Sequence, residues 1–189
     1  MNPAEVIELY EATGGLLRGH FLLTSGLHSD TYLQSALVLQ SPEHAEALCR
    51  QLALAFSGDR VQAVIGPALG GILVAHEVAR AIGCRALFAE REDGVMRLRR
   101  GFAIAAGTRC LVVEDVITTG GSTREVMRVV EEAGGILVGV GALIDRGGGS
   151  AAFPVKKVTL ATLSVHTYRP EECPLCRSGS PAVKSGSRK

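Results

Sequence analysis

The chain has 189 residues, of which 47% are hydrophobic and 21% charged, and its formal net charge at pH 7 is +1. This length and composition predict one well-packed domain and exclude wholesale disorder, and the near-zero charge gives no support to a large nucleic-acid-binding surface. Because the opening residues lack the pattern of a secretion signal and no apolar run approaches the ~20 residues of a membrane span, we expect a cytoplasmic protein without membrane or nucleic-acid partners.

The N-terminal part is predicted to contain a helix, one or two strands and a second helix. Residues 3–17 carry apolar residues at mixed helical spacing, interrupted by Gly14 and Gly15, and predict one amphipathic N-terminal helix. The stretch GHFLLTSGLHSDTYLQ (19–34), interrupted by Gly26, predicts either two short strands or a strand and a loop. Ser41 followed by Pro42 is typical of a helix start, and the helix after it should run for about four turns.

From Val61 onward, short apolar runs alternate with helical stretches. The predicted strands are VQAVIG (61–66), RALFAE (85–90), TRCLVVED (108–115), ILVGVGALID (136–145) and KVTLATLSV (157–165). Helical patterns over 71–83 and 122–135 end near Gly83 and Gly134, where a helix C-terminus favours a residue that can take positive φ. Apolar strands separated by helices predict an α/β fold with a doubly wound parallel sheet. Ligands of such sheets bind beyond the carboxyl ends of the strands, which directs attention to the loops GPALGG (66–71), EDVITTGGST (114–123) and DRGGG (145–149).

The second of these loops has the features of a sugar-phosphate site. Glu114 and Asp115 end a strand that is otherwise apolar, and two adjacent carboxylates need compensation by hydroxyl groups, a cation or arginines. The threonines and glycines that follow open a helix, so backbone N–H groups, hydroxyls and the positive helix end can together bind one phosphate. The alternative is an ordinary strand-turn-helix junction with capping threonines. The dinucleotide and P-loop fingerprints are both absent.

The segment VVEDVITTGGST (112–123) resembles the phosphoribosyl pyrophosphate (PRPP) signature of type I phosphoribosyltransferases. Segments 21–34, 66–91 and 137–149 resemble, in order and spacing, the orotate phosphoribosyltransferase family in its short bacterial and archaeal form. This resemblance implies a single domain over residues 1–168, in which residues 1–40 form a small hood above the sheet. It also implies transfer of ribose 5-phosphate from PRPP to orotate with Mg²⁺ as cofactor, by a homodimer with shared active sites, in pyrimidine biosynthesis.

The resemblance further implies roles for individual residues. Glu114 and Asp115 would hold the ribose hydroxyls and take part in catalysis, and Arg146 would pair with the orotate carboxylate. Tyr32 and Leu33 would line the pyrimidine pocket, although a place in the core or on an edge strand is an equally open interpretation of that pair. The pyrophosphate would lie on the loop that contains Leu69 and Gly70. The 5′-phosphate would be bound by Val116, Ile117, Thr118, Thr119, Gly120, Gly121 and Ser122, with Thr118 also touching orotate.

One segment departs from the family pattern. The mobile loop of better-known members carries several lysines and a histidine, whereas here EREDGVMRLRRGF (90–102) offers only arginines. The candidate catalytic cations of this loop are Arg91, Arg97, Arg99 and Arg100. Arginines can stabilise a leaving pyrophosphate, but they cannot supply general acid help as histidine does. A solvated hairpin is the alternative interpretation of this segment. Thr24 and Gly70 also stand where those members carry lysines.

The cysteines and histidines form no complete metal-ligand motif along the sequence. Cys173 and Cys176 form one CPLC pair, and a structural zinc site usually needs four ligands, so the pair either binds a metal by pairing across a dimer or remains two thiols in a loose tail. The five histidines show no metal-ligand spacing. We expect the Pro-, Ser- and Gly-rich tail over 169–189 to be loosely ordered.

Two other functions remain open at this point. A purine phosphoribosyltransferase would share the scaffold, but a purine offers no carboxylate to Arg146. A PRPP-sensing regulator that binds nucleic acid would explain the missing lysines, yet the near-zero charge and the lack of an appended DNA-binding domain speak against it.

Overall fold

The computed structural model describes residues 1–23 and 25–184. Its strands are β1 (Leu16–Leu22), β2 (His28–Leu33), β3 (Ala63–Pro67), β4 (Arg85–Glu92), β5 (Val95–Leu98), β6 (Arg109–Ile117), β7 (Ile136–Asp145), β8 (Lys157–Thr162), β9 (Thr167–Tyr168) and β10 (Val183–Lys184). Its α-helices are α1 (Pro3–Ala12), α2 (Ser35–Leu39), α3 (Pro42–Leu54), α4 (Gly70–Ile82), α5 (Gly121–Glu132) and α6 (Pro174–Arg177). A 3₁₀ turn over Pro170–Glu172 precedes α6. Within the described residues, no helix is both long and apolar enough to cross a bilayer.

The larger sheet has six strands in the order β5-β4-β3-β6-β7-β8. All neighbouring pairs are parallel except β4 and β5, which form an antiparallel hairpin. Its buried side chains divide between two cores: one includes residues of α1, α3 and α4, and the other includes residues of α5 and of the segment that precedes β6. Apolar strands covered on both faces are what the near-continuous hydrophobic runs predict. The predicted α/β class and parallel sheet are confirmed.

The predicted N-terminal helix covers the part of residues 3–17 that precedes the glycine pair. It ends at Ala12, where the Thr13 hydroxyl donates to the Leu9 carbonyl oxygen over 2.7 Å. Gly14 then takes a φ of +71°, and the chain turns into β1. Leu16 and Leu17, whose spacing suggested a last helical turn, belong to the first strand instead. Two adjacent leucines fit the period of a helix or of a strand, and the interruption at the glycine pair marks the end of the helix.

The hood contains a second, four-stranded sheet in the order β10-β1-β2-β9. β1 and β2 form the antiparallel pair that was one of the two sequence interpretations of residues 19–34. The two outer strands come from the C-terminal segment: β9 pairs with β2, and β10 runs parallel to β1. For the tail over 169–189 the sequence predicts loose order, and in its described part, up to Lys184, β10 pairs with β1 and Cys173 is buried.

Four side chains that the sequence treats as unrelated lie together at this junction. The rings of His20 and His28 have centroids 4.7 Å apart, and the sulfurs of Cys173 and Cys176 lie beside them. The histidines show no metal-ligand spacing along the chain. The β1–β2 hairpin and the C-terminal segment nevertheless bring two of them next to two cysteines.

Candidate active site

Three loops meet at one edge of the larger sheet. They follow β3, β6 and β7, which are adjacent strands, and parallel strands place their carboxyl ends at the same edge. The first two loops each lead into a helix, α4 and α5 respectively. The N-termini of both helices therefore lie at this edge, and neither carries an acidic residue in its first turn or a side-chain hydrogen bond at its cap. Two helix ends with free N–H groups form two potential anion sites.

The acidic pair lies between these helix ends. Glu114 is 9% exposed and accepts a long hydrogen bond of 3.5 Å from the Thr123 hydroxyl. Desolvation, and secondarily the charge of Asp115, raise the pKa of Glu114 well above its usual value. Desolvation also raises the pKa of Asp115, while a hydrogen bond from Ser35 acts in the opposite direction. The site therefore holds two carboxyl groups that lack a strong cationic partner in the described structure.

Alternation along β6 sends the two acids to different faces. Glu114 is directed toward α5, where it meets Thr123. Asp115 is directed toward the first loop, since a Cβ added to Gly70 would lie 2.5 Å from its Oδ1 atom. Glycine at position 70 thus lets the backbone of the first loop approach the Asp115 carboxylate. A side chain at position 70 would displace either the backbone of the first loop or the Asp115 carboxylate.

The loop after β6 forms a small cradle at the start of α5. It encloses a cavity of about 80 Å³ lined by Glu114, Val116, Ile117, Thr118, Gly120, Gly121, Ser122 and Thr123. Thr118 and Thr119 are exposed, whereas Ile117 is 1% exposed and Val116 packs against the core. Val116 and Ile117 can therefore offer only backbone groups to a ligand. Gly120 has a φ of +77°, a conformation that favours glycine, and it caps α5.

The first loop folds tightly against its own helix. A Cβ on Gly66 would overlap the carbonyl oxygen of Gly71, and a Cβ on Gly71 would lie 2.7 Å from the ring of Pro67. The peptide bond between Ala68 and Leu69 is cis. Leu69, the cap of α4, is 78% exposed, so it is available at the surface of the loop.

Arg146 follows β7 and faces the hood. Its side chain is half-buried, and desolvation lowers the pKa of its guanidinium while the nearby Tyr32 acts in the opposite direction. Among the described residues, no salt bridge or hydrogen bond to this guanidinium occurs; the backbone N–H of Arg146 donates to the Ile117 carbonyl oxygen over 2.8 Å. Tyr32 is half-exposed beside it, but Leu33 is 9% exposed and packs in the core. The structure therefore brings Tyr32 to the site and leaves Leu33 outside it.

Two basic residues outside the predicted site hold these loops in place. Lys157 donates to Asp145 Oδ2 over 2.9 Å and to the carbonyl oxygens of Gly149 and Ala151 over 3.1 and 2.8 Å. Arg124 donates to the carbonyl oxygens of Thr119 and Ala152 over 2.7 and 3.0 Å. Nothing in the local sequence signals either contact, because both donors lie outside the loop that they hold.

The four candidate catalytic arginines lie on or just after the β4–β5 hairpin, and each pairs with a carboxylate of its own chain. Arg91 meets Glu125 at 2.7 Å, and Arg100 meets Glu90 at 2.9 Å. Arg97 and Arg99 both contact Glu92, at 3.7 and 3.2 Å. The hairpin thus matches the solvated alternative in this conformation. Exposed pairs of this kind are worth about 0–1 kcal/mol, so they can be exchanged for a ligand at little cost. Thr24, the other position noted for a missing lysine, lies outside the described residues.

Comparison with known proteins places this arrangement in a family. Residues 38–164 match the model of the phosphoribosyl transferase domain. The chain is 57% identical to the orotate phosphoribosyltransferase of Pelotomaculum thermopropionicum over 189 residues, covering 100% of both chains. It is 56% identical to that of Desulforamulus reducens over 188 residues, covering 100% of this chain and 98% of the relative. The crystal structure of orotate phosphoribosyltransferase from Aeropyrum pernix superposes with a TM-score of 0.71 at 27% identity, covering 84% of this chain and 93% of that one. Fold, strand-end loops and full-length similarity agree, and the chain belongs to the orotate phosphoribosyltransferase family of phosphoribosyltransferases.

Proposed function

We propose that this protein transfers the ribose 5-phosphate group of PRPP to N1 of orotate, giving orotidine 5′-monophosphate and pyrophosphate. In this reaction N1 attacks C1 of the ribose, the bond from C1 to the pyrophosphate oxygen breaks with its electron pair leaving on the pyrophosphate, and the N1 proton is lost to the pyrophosphate or to water. Full-length relatives of this name and the chemistry of the three strand-end loops support the proposal.

The observation that carries the choice of base is the half-buried Arg146 guanidinium, which has no anionic partner among the described residues. Partial burial of a cation is unfavourable unless a partner compensates it. A planar carboxylate matches the fork of N–H donors on arginine, and orotate carries one. A purine base carries no carboxylate. Tyr32 beside the guanidinium offers an aromatic face for the pyrimidine ring.

The remaining groups fit the parts of PRPP. The N-terminus of α5 and the 118–122 loop would bind the 5′-phosphate, and the N-terminus of α4 with the 66–71 loop would bind the pyrophosphate. Glu114 and Asp115 would accept hydrogen bonds from the ribose hydroxyls. Negative carboxylates next to C1 would also favour the positive charge that develops on the ribosyl group in the transition state.

The donor set also fits Mg²⁺ as a cofactor. The site offers two carboxyl groups whose pKa values are raised mainly by desolvation, and Mg²⁺ prefers oxygen ligands while keeping several of its waters. Phosphate and hydroxyl oxygens of PRPP would supply most of the ligands of the ion, and Glu114 and Asp115 would contribute by holding the ribose hydroxyls beside it. When bound, it supplies charge neutralisation for the leaving pyrophosphate.

The hairpin arginines would supply the remaining positive charge. We propose that Arg91, Arg97, Arg99 and Arg100 exchange their exposed carboxylate partners for pyrophosphate oxygens, acting in the site of the partner subunit of a homodimer. Their mutual proximity on one hairpin suits a highly charged leaving group, and the weakness of their pairs would permit the exchange.

The decisive experiment follows the ultraviolet absorbance of orotate in the presence of PRPP and Mg²⁺. Consumption that depends on both would support the proposal. Arg146→Gln should lower kcat/KM for orotate by at least about 30-fold, corresponding to the ~2–5 kcal/mol typical of a buried charge pair that loses one partner. Arg128→Gln, on the exposed face of α5, is the matched control and should leave kcat/KM unchanged. Turnover of adenine, guanine or hypoxanthine in place of orotate would refute the choice of base.

A further inference from the structure

A second constellation lies outside the active site, between the hood and the C-terminal segment. It consists of two imidazoles and two thiols, here named the His-Cys cluster: His20, His28, Cys173 and Cys176. One nitrogen or sulfur atom of each residue lies within 4.8 Å of the corresponding atom of every other. All five cysteines of the chain are free thiols, so no disulfide accounts for this approach.

The distances between the ligand atoms approach those of a tetrahedral metal site. His20 Nε2 lies 3.5 Å from Cys173 Sγ and 3.7 Å from Cys176 Sγ, and His28 Nδ1 lies 3.2 Å from Cys176 Sγ. Zinc bonds of about 2.0–2.1 Å to nitrogen and 2.3 Å to sulfur separate neighbouring ligand atoms of a tetrahedron by about 3.3–3.8 Å. The 3.2 Å separation lies just below this range, whereas the two imidazole nitrogens, 2.7 Å apart, are clearly closer than a tetrahedral site requires. They would have to separate by about 0.6 Å to reach the tetrahedral edge.

The surroundings orient His20 as a metal ligand. Its Nδ1 atom lies 2.8 Å from the carbonyl oxygen of Ser180. A carbonyl oxygen can only accept, so Nδ1 carries the proton and Nε2 presents its lone pair to the cluster. An imidazole that donates its second N–H to a backbone carbonyl is the usual support of a metal-binding histidine.

The backbone of β1 is distorted where His20 lies. The register between β1 and β2 shifts between Arg18 and Phe21, and His20 and Phe21 are both buried although neighbours in a regular strand face opposite sides. Such bulges re-aim a side chain. Here the bulge directs His20 toward the cysteines while Phe21 stays packed against Tyr32, with ring centroids 5.6 Å apart.

Burial separates the cluster from bulk water on most sides. His20 and His28 are 5% and 8% exposed, Cys173 is fully buried and Cys176 lies at the rim. Two thiolates would balance the charge of a divalent ion, and four protein ligands leave no open position for a substrate. This combination of soft sulfur and imidazole ligands selects zinc and is characteristic of structural sites.

We propose that the His-Cys cluster binds one structural Zn²⁺ ion, which fastens the C-terminal segment to the hood. The segment needs such a fastening because β9 and β10 contain two residues each, too few to hold edge strands in place alone. The ion joins both strands of the β1–β2 pair to the CPLC turn. Since β2 also carries Tyr32, the same ion stabilises the wall of the proposed pyrimidine pocket.

The test measures metal content directly, because chelators also remove Mg²⁺ and would confuse an activity assay. Full-length protein is purified under reducing conditions without immobilised-metal chromatography, and zinc per chain is determined by inductively coupled plasma mass spectrometry. Wild type and the control Cys84→Ser, a half-buried thiol outside the cluster, should each hold about one zinc per chain. The double variant Cys173→Ser/Cys176→Ser should hold less than about a tenth of that.

A spectroscopic measurement on the wild type keeps the proposal testable if the double variant does not fold. Metal-free protein titrated with Co²⁺ should develop thiolate-to-cobalt charge-transfer bands and tetrahedral d–d bands that saturate at one equivalent. X-ray absorption at the zinc edge should give two sulfur and two nitrogen neighbours. Zinc retained in the folded double variant, reduced wild type that takes up neither ion, or a Cys173–Cys176 disulfide in freshly purified protein would each overturn the proposal.

Discussion

The buried contact between Lys157 and Asp145 should control both the stability of the protein and its affinity for orotate. Asp145 is completely buried at the end of β7, and its two carboxylate oxygens accept from Lys157 and from the N–H of Gly147, over 2.9 and 2.8 Å. The three N–H donors of Lys157 are all used, since two further bonds go to carbonyl oxygens of the 146–151 loop. Lys157→Met keeps the aliphatic stem and removes all three donors.

The loss of stability expected for Lys157→Met comes from the buried Asp145 carboxylate, which is left without its cationic partner. Removing one partner of a buried ion pair leaves an uncompensated charge and typically costs about 3–5 kcal/mol. Because the Lys157 side chain is 23% exposed, water can partly replace the ammonium, and we expect the lower end of this range. The neighbouring Lys156 provides a matched control: its partner is the partly exposed Asp59 at 3.0 Å, and Lys156→Met should cost at most about 1 kcal/mol.

Urea unfolding at fixed protein concentration measures the change in the free energy of unfolding, and steady-state kinetics measures the change in KM for orotate. The loop that Lys157 fastens begins at Arg146, so the variant should raise KM for orotate about tenfold or more, with a smaller change for PRPP. Asp145→Asn added to Lys157→Met should recover part of the lost stability by removing the orphaned charge. Equal unfolding free energies for the two lysine variants would refute this account of the loop.

Three further predictions concern the strand-end loops and the hairpin. Glu114→Gln should lower activity but stabilise the protein by about 0.5–2 kcal/mol in thermal melts. The raised pKa of Glu114 means that ionisation is less favourable in the folded state than in the unfolded chain, so this gain should appear as pH rises above the usual carboxyl range and vanish in acid. Gly66→Ala should lower kcat/KM about 100-fold because its methyl group would overlap a backbone carbonyl of α4, whereas Gly58→Ala, in open space, should not. Arg97→Ala should reduce kcat about 100-fold or more with an unchanged melting temperature if the hairpin meets the pyrophosphate, and an unchanged kcat would exclude that role.

Much of the fold could be predicted because its signals are local. Apolar runs between helical stretches identified the strands of the parallel sheet, and Gly83, with a φ of +82°, ends α4 as its position suggested. The same locality explains the prediction that the loops after β3, β6 and β7 share an edge, since parallel topology alone dictates it.

The parts that could not be predicted depend on contacts between distant positions. The alternation of β2 separates Tyr32 from Leu33, but only the packed hood reveals which of the two faces Arg146. Lys157 acts on a loop that precedes its own strand, and a lysine in a polar segment carries no mark of such a role. The His-Cys cluster is the extreme case, since its pairs come from opposite ends of the chain. Ligand spacing along the sequence identifies only the two cysteines of the CPLC motif.

The way in which the C-terminal segment completes the hood sheet has a consequence for biosynthesis. Phe21 pairs with Val183, and His28 pairs with Tyr168, so neither outer edge of the β1–β2 pair is covered until Tyr168 and Val183 themselves have left the ribosome. Until then, a nascent chain exposes unpaired strand edges, which are the usual templates for aggregation. Deletion of the C-terminal segment that carries β9 and β10 would therefore uncover the edges of the N-terminal β1–β2 pair.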